Sequence, residues 1–175
     1  MTAVVDTGFV EMRLGKVVGV ATAEGEASCC VVLDGVAEDR HLPIQIGHTE
    51  AFHLSAVLTG MEFPRPMSPQ FTAGLLRALG GRVRQVRIDR LVPALDGTAY
   101  GSTVEVESAV GVELVDARPS DALNLIALMP APVFVASEVM ADAEARREGD
   151  SAEAVLLRRA LEAEQMTLQV EPRNR

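Results

Sequence analysis

The chain contains no tryptophan, one tyrosine (Tyr100), one lysine (Lys16) and two cysteines, which are adjacent. Each scarcity excludes something. Cys29 and Cys30 sit in a segment that reads as a strand, where neighbouring side chains point to opposite faces, so a disulfide between them is not expected. Neither a C-x-x-C pair nor a Cys/His ligand cluster occurs, which argues against a zinc finger, a zinc deaminase site or a redox pair. With aromatics at only 3% of residues, a nucleic-acid surface built on base stacking is not supported. No stretch approaches the roughly 20 apolar residues that a membrane helix needs, and the N-terminus lacks the basic-then-apolar layout of a signal peptide. The expected location is therefore the cytoplasm. Positive charge is also short: the formal net charge is −9, the wrong sign for tight, non-specific phosphate binding.

What is present is a well-punctuated apolar pattern, 48% of 175 residues, enough for one hydrophobic core. Alternating runs predict strands over 9–20, 28–33 and 41–46. From His48 the apolar residues Ala51, Leu54, Val57 and Leu58 recur at helical spacing until Gly60. A connector, Phe63-Pro64-Arg65-Pro66, leads to Ser68-Pro69, which predicts a second helix, capped by the serine and stopped at Gly80-Gly81. Strands resume over 83–92, 98–107 and 110–115, with Asp96-Gly97 as a hairpin turn, and Pro119 opens a third helix running to Met129. A short strand over 132–136 and a helix over 137–147 follow.

Shifting the chain against itself by 71 positions lays Ile44 on Val115, Thr49 on Ser120, Glu50 on Asp121, Ala51 on Ala122 and Leu54 on Leu125. The expected fold is accordingly α+β: a mainly antiparallel sheet built from a duplicated three-strands-then-helix unit, with helices packed on it. The domain spans 1–147. Residues 148–175 form a C-terminal amphipathic helix and tail, with Asp150 and Glu153 as a capping box and Leu157, Leu161 and Leu168 as a thin apolar stripe. Docking of that helix on its own domain is the simpler expectation; pairing with a partner subunit is the other.

Three motifs occur in order: Leu42-Pro43-Ile44-Gln45-Ile46-Gly47 with Glu50-Ala51, then Pro64-Arg65-Pro66, then Asp116-Ala117-Arg118-Pro119-Ser120-Asp121-Ala122. Together they resemble the bifunctional nuclease family over roughly residues 12–142. The resemblance implies an α+β fold with an internal duplication, self-association and, in some members, divalent-metal-dependent cleavage of RNA and DNA. The chain also departs from the family. Gln45 and Ala99 stand where aromatics are usual, and His53 and Asn124 where small apolar residues are usual.

Phosphodiester hydrolysis needs a cationic clamp for the phosphoryl oxygens and a group to orient water. Glu50 and Asp121 offer carboxylates at matching places in the two repeats, and hard oxygen ligands suit Mg²⁺ or Mn²⁺. Glu50, Asp116, Asp121 and Arg118 are the catalytic candidates, Glu50 and Asp121 also being the metal candidates. Each acid has a plain alternative, since a carboxylate in the first turn of a helix is stabilised there by about 0.3–1 kcal/mol without any catalytic role. Arg118 precedes a helix N-terminus, where free N–H groups favour phosphate; its alternative is a salt bridge to Asp116 or Asp121. Arg65, Ser120, His53 and Asn124 complete the substrate-binding candidates, the last two falling one helical turn after Glu50 and Asp121. Arg82, Arg84, Arg87 and Arg90 read as a solvated strand edge, because a regular strand cannot turn all four to one side.

Two functions follow. One is a metal-dependent nuclease of low sequence specificity. The other is a non-catalytic, self-associating binding or regulatory module for a small anion or protein partner. A homodimer is expected in either case, formed through the sheet or through the connector flanked by Phe63 and Met67.

Overall fold

The computed structural model describes residues 8–21, 25, 27–94 and 97–166. Seven strands form one sheet in the order β3-β2-β1-β7-β4-β5-β6. β1 (Phe9–Ala21), β2 (Ala27–Gly35) and β3 (His41–Ile46) make an antiparallel meander that leads into α1 (His48–Leu58). After α2 (Ser68–Ala78), β4 (Arg82–Ala94), β5 (Gly97–Ser108) and β6 (Gly111–Ala117) make a second antiparallel meander that leads into α3 (Pro119–Leu128). β7 (Val133–Ala136) then enters between the two meanders, antiparallel to β1 and parallel to β4.

The sheet is therefore mixed: it is mainly antiparallel, as expected, but the pairing of β7 with β4 is parallel. The reason is geometric: β1 and β4 run in opposite senses on either side of β7, so the central strand must be parallel to one of them. α4 (Ser137–Glu148) and α5 (Ala152–Glu162) complete the five helices of the described residues.

Strand alternation fills the core. Val17, Cys29, Val31, Leu33, Leu42, Ile44 and Ile46 are buried with Ala51 and Leu54 of α1 and Ala122, Leu123 and Ile126 of α3. The opposite face of the first meander carries a second cluster, in which Val18, Val20 and Cys30 meet Leu156, Leu157 and Ala160 of α5. The C-terminal helix thus docks on its own sheet. Lys16 ties it down, its Nζ donating to the carbonyl of Leu161 at 2.8 Å and to that of Ala163 at 2.5 Å.

Local starts differ from the sequence expectation in two places. α5 is capped by Ser151, whose Oγ accepts from Ala154 N at 3.0 Å, and Asp150 lies one residue before the cap. Ser68 is the first residue of α2 and its side chain caps nothing; Met67 holds the cap position. Asp96 and Leu168, named for a turn and for the tail stripe, lie outside the described residues.

The two cysteines are free and buried on opposite faces, as alternation requires. Burial pushes the Cys30 thiol from 9.0 up to about 12, with Cys29 adding to the shift. The folded state holds this proton more tightly than the unfolded chain does. Its contribution to stability is therefore complete below pH 9 and is lost as pH rises toward 12. Urea midpoints measured from pH 8 to 11 are expected to fall more steeply for the native chain than for Cys30→Ala, the difference being at most about 1.4 kcal/mol per pH unit. Equal slopes would show that this thiol is not held as its burial implies.

Candidate active site at two helix starts

β3 and β6 are the first and last strands of the sheet, yet the helices that follow them begin side by side. The sheet is curled enough for its two ends to approach. Glu50 is the third residue of α1 and Asp121 the third of α3, the position at which a carboxylate best meets the unpaired N–H groups and positive end of a helix.

Arg118 is the cap residue of α3 and joins the two acids. Its Nε donates to Asp121 Oδ2 at 2.7 Å, and its Nη2 donates to Asp121 Oδ1 and to Glu50 Oε1, both at 2.9 Å. The pairing with Asp121 is the bidentate fork that guanidinium geometry favours. These hydrogen bonds, that to Asp121 foremost, hold the Arg118 pKa above its ordinary value despite some desolvation. The arginine side chain is nevertheless 66% exposed, so an incoming anion can reach it.

Behind this cluster the helices are tied by Asn124, 2% exposed, whose Nδ2 donates to the carbonyls of Ser120 at 2.9 Å and Glu50 at 3.2 Å. The Asn124 Oδ1 and the Nε2 of His53, which is 6% exposed, are buried without a partner among the described residues. Both side chains thus lie beneath the surface that a substrate would touch. Ser120 is buried as well, though it lines the adjoining trough.

Asp116 stands apart. It is 84% exposed on β6 and paired with Arg90 rather than with Arg118. Arg65 is exposed in the connector and forms no ion pair among the described residues. Phe63 of that connector packs its ring 5.7 Å from that of Phe52, within the chain.

Gly47, the cap of α1, is where Glu50 folds back: a Cβ added there would meet Glu50 Oε2 at 2.3 Å. The backbone of Gly47 is extended and accepts any residue. Gly47→Ala is accordingly expected to leave the melting temperature within a few degrees of native while pushing the Glu50 carboxylate off Arg118. An activity loss with an unchanged melting curve would bear this out, and native activity would count against it.

An open trough of about 1060 Å³ begins at Arg118, Pro119 and Ser120. Ser28, Gln45, His48, Ala99, Tyr100 and Arg146 are among the residues that line it. The side-chain amide of Gln45 donates to Ser28 Oγ at 2.8 Å. Arg146 lies over the Tyr100 ring at 5.3 Å and pairs with Asp142 at 2.6 Å and Glu153 at 3.1 Å. Tyr100 donates to Asp142 Oδ2 at 3.2 Å. Burial raises the pKa of this phenol, Arg146 opposes the shift and Asp142 adds to it.

Sequence reasoning missed Arg146 and Asp142, which come from α4 and carry no motif. A partial signal existed, since Gln45 and Ala99, the two departures from the family's aromatics, both line this trough.

The arginines of β4 also read differently in three dimensions. Register shifts at Val83/Gln85 and Ile88/Arg90 change the phase of the strand, leaving Val83, Val86 and Ile88 buried and turning Arg82 and Arg87 to one face. Three of the four arginines are neutralised: Arg82 pairs with Glu107, Arg84 with Glu105 and Arg90 with Asp89 and Asp116, while the Arg87 Nε is buried without a partner among the described residues.

The chain is thus an α+β protein whose two strand-to-helix junctions present an acid–arginine–acid cluster beside an open trough. Residues 31–148 match the bifunctional nuclease domain, and the chain belongs to that family. The match starts inside β2 and ends with α4, leaving β1 and α5 outside it. Over 128 residues the chain is 31% identical to an uncharacterized protein found in two strains of Mycobacterium tuberculosis, a stretch that covers 73% of this chain and 74% of that protein.

Proposed function

We propose that this chain hydrolyses phosphodiester bonds in RNA or DNA with little sequence preference, at the cluster of Glu50, Arg118 and Asp121. Family membership supports nuclease-like chemistry. The observation that carries the reading is a single exposed guanidinium, set at a helix N-terminus and shared by two first-turn carboxylates at the head of a trough. Arg118 would take a phosphoryl oxygen, helped by the free N–H groups of the helix starts. One of the two carboxylates, released from the guanidinium, would orient the attacking water and accept its proton. Asp116, held by Arg90, has no part in this arrangement. Asn124 acts from below by keeping the two helix starts in register.

Mg²⁺ or Mn²⁺ is the cofactor we propose. Among the described residues no group of three or more His, Cys, Asp or Glu gathers. Glu50 and Asp121 would hold the cation once their oxygens leave the Arg118 guanidinium, with water and substrate oxygens completing the shell, a pattern Mg²⁺ accepts. When bound it would neutralise phosphoryl charge and acidify water. We also propose that the two meander-then-helix runs derive from one duplicated unit, a reading supported by Glu50 and Asp121 occupying the same helical position and by the burial of both Ala51 and Ala122.

The test is incubation of the purified chain with single-stranded RNA and DNA in Mg²⁺, Mn²⁺ or chelator. Cleavage is expected in the presence of metal and its loss is expected in Glu50→Ala and Asp121→Ala proteins that remain folded. Cleavage that survives both substitutions would end the assignment. The alternative, a non-catalytic module that binds a small anion, rests on Arg118 being already neutralised by two acids in a chain of net charge −9. It predicts no turnover but a rise in melting temperature with phosphates or nucleotides.

A further inference from the structure

A second cavity adjoins the cluster. Arg118 lines the trough, whereas its partner Asp121 lines a separate slot of about 360 Å³. The Arg118–Asp121 pair is therefore the divide between the two. The floor of the slot is sheet: Val104 and Val106 of β5 share a face with Val115 and Ala117 of β6, because Val104 pairs with Val115 and Ser102 with Ala117. Its remaining sides include Thr72 and Leu76 of α2 and Leu125 of α3.

The chemistry of the lining decides what can enter. It holds no cationic side chain and Asp121 is its one charged group, so a phosphate is repelled and a neutral group is not. A pure hydrocarbon does not suit it either, since Asn124, beneath the surface of the cluster, belongs to the lining of the slot. Its Nδ2 is committed to the carbonyls of Ser120 and Glu50, while its Oδ1 is buried without a donor among the described residues. Buried acceptors are nearly always paired, and this one is left for a donor that the slot brings to it. The fitting occupant has apolar faces, an N–H at its edge and no negative charge.

We propose that the slot receives the base of the nucleotide whose phosphate rests on Arg118, which takes as its ground the nuclease reading of the cluster. A nucleobase is planar and neutral, and each of the common bases carries an N–H. Held among apolar side chains, a base is gripped by its faces, and a single acceptor serves any base that offers an N–H. Little sequence preference follows from such a lining. The placement agrees: the base and phosphate of one nucleotide are joined through one sugar, and here slot and anion site are joined through one ion pair, Arg118 Nε to Asp121 Oδ2 at 2.7 Å. The strand would run from the trough across this divide, with one base turned into the slot.

The experiment is an NMR titration of the full chain that follows its methyl groups and arginine side chains. The compounds are adenosine 3′-monophosphate, adenosine 5′-monophosphate and ribose 5-phosphate, the last having the anion without the base. At least one nucleotide is expected to shift the methyls of Leu76, Val104, Val106 and Val115 together with the Arg118 guanidinium, and ribose 5-phosphate to shift Arg118 alone. Thr72→Phe and Val115→Phe fill the slot from α2 and from the sheet, at exposed positions. With folding checked by melting curve, each is expected to weaken nucleotide binding about tenfold, the low end of what one base contact contributes, and to leave ribose 5-phosphate binding unchanged. Shifts at Arg118 with the slot methyls unmoved by either nucleotide overturn the proposal and leave the reading of the cluster standing. Slot shifts that ribose 5-phosphate reproduces, or nucleotide binding that both variants leave intact, overturn it equally. No shift at Arg118 from any of the three compounds removes the anion site itself, and the pairing of slot with cluster falls with it.

Discussion

Arg118→Ala is expected to lower cleavage of single-stranded RNA or DNA by about 10²–10³-fold, the usual cost of removing one preorganised donor from a charged transition state. The loss should fall on catalysis and not on folding. The arginine side chain is mostly exposed, and its partners remain supported after its removal, because Glu50 and Asp121 each sit in the first turn of a helix. Far-UV circular dichroism and the melting curve should therefore stay close to native. Arg118→Lys is the informative companion. It keeps the charge but loses the fork that spans Asp121 Oδ1 and Oδ2, so an intermediate rate is expected. Cleavage at the native rate by the alanine variant would remove Arg118 from the mechanism and, with it, the reading of this cluster as the active site.

Asn124→Asp is expected to produce the opposite division, with stability lost first. The substitution changes no shape. It replaces an amide that donates to two carbonyl oxygens by a carboxylate that faces them, at a position 2% exposed. An uncompensated buried charge of this kind costs on the order of 3–5 kcal/mol. Some of this is recoverable with acid. Burial raises the folded pKa of the new carboxyl above its unfolded value of about 3.9, so the penalty is absent below that value and grows as pH rises through and beyond it. Urea denaturation at pH 4.5 and pH 7.5 should show a difference between native and variant that is small at the lower pH and large at the higher. A variant as stable as the native chain at pH 7.5 would mean that Asn124 does not tie α1 to α3.

Several features of the molecule were legible because they are local. Glycine stops, alternating apolar runs and prolines at helix starts carry their physics within a few residues, and α1, α2, α3 and both three-strand meanders follow from them. The acids of the two helix starts were legible for the same reason, since first-turn carboxylates and a preceding arginine are neighbours in sequence. That Asp116 belongs to Arg90, and not to the cluster a few residues on, was not. Asp116 lies on a strand, and its partner is fixed by the registers of two hairpins rather than by proximity in the chain.

The arginines of β4 show the same limit in another form. Strand alternation alone separates Arg82 from Arg87, but the bulge between Val83 and Gln85 restores them to one face, and a bulge is set by how one strand pairs with the next. The parallel pairing of β7 with β4 also had no local signal. Four residues long, β7 takes its direction from the gap left between two meanders of opposite sense.

The amino-acid sequence by itself determined the class of fold, the family, the places where helices begin, and the presence of Glu50, Asp121 and Arg118 at those beginnings. These follow from periodicity, capping and motif, all of which act over a few residues. Only the tertiary structure decided that Glu50 and Asp121 share one guanidinium, that Asn124 and His53 lie beneath them, and that Arg146 and Tyr100 face the same trough. These depend on the curl of the sheet and on the order in which its strands are laid down, which bring together residues far apart in the chain and which no short stretch of sequence encodes.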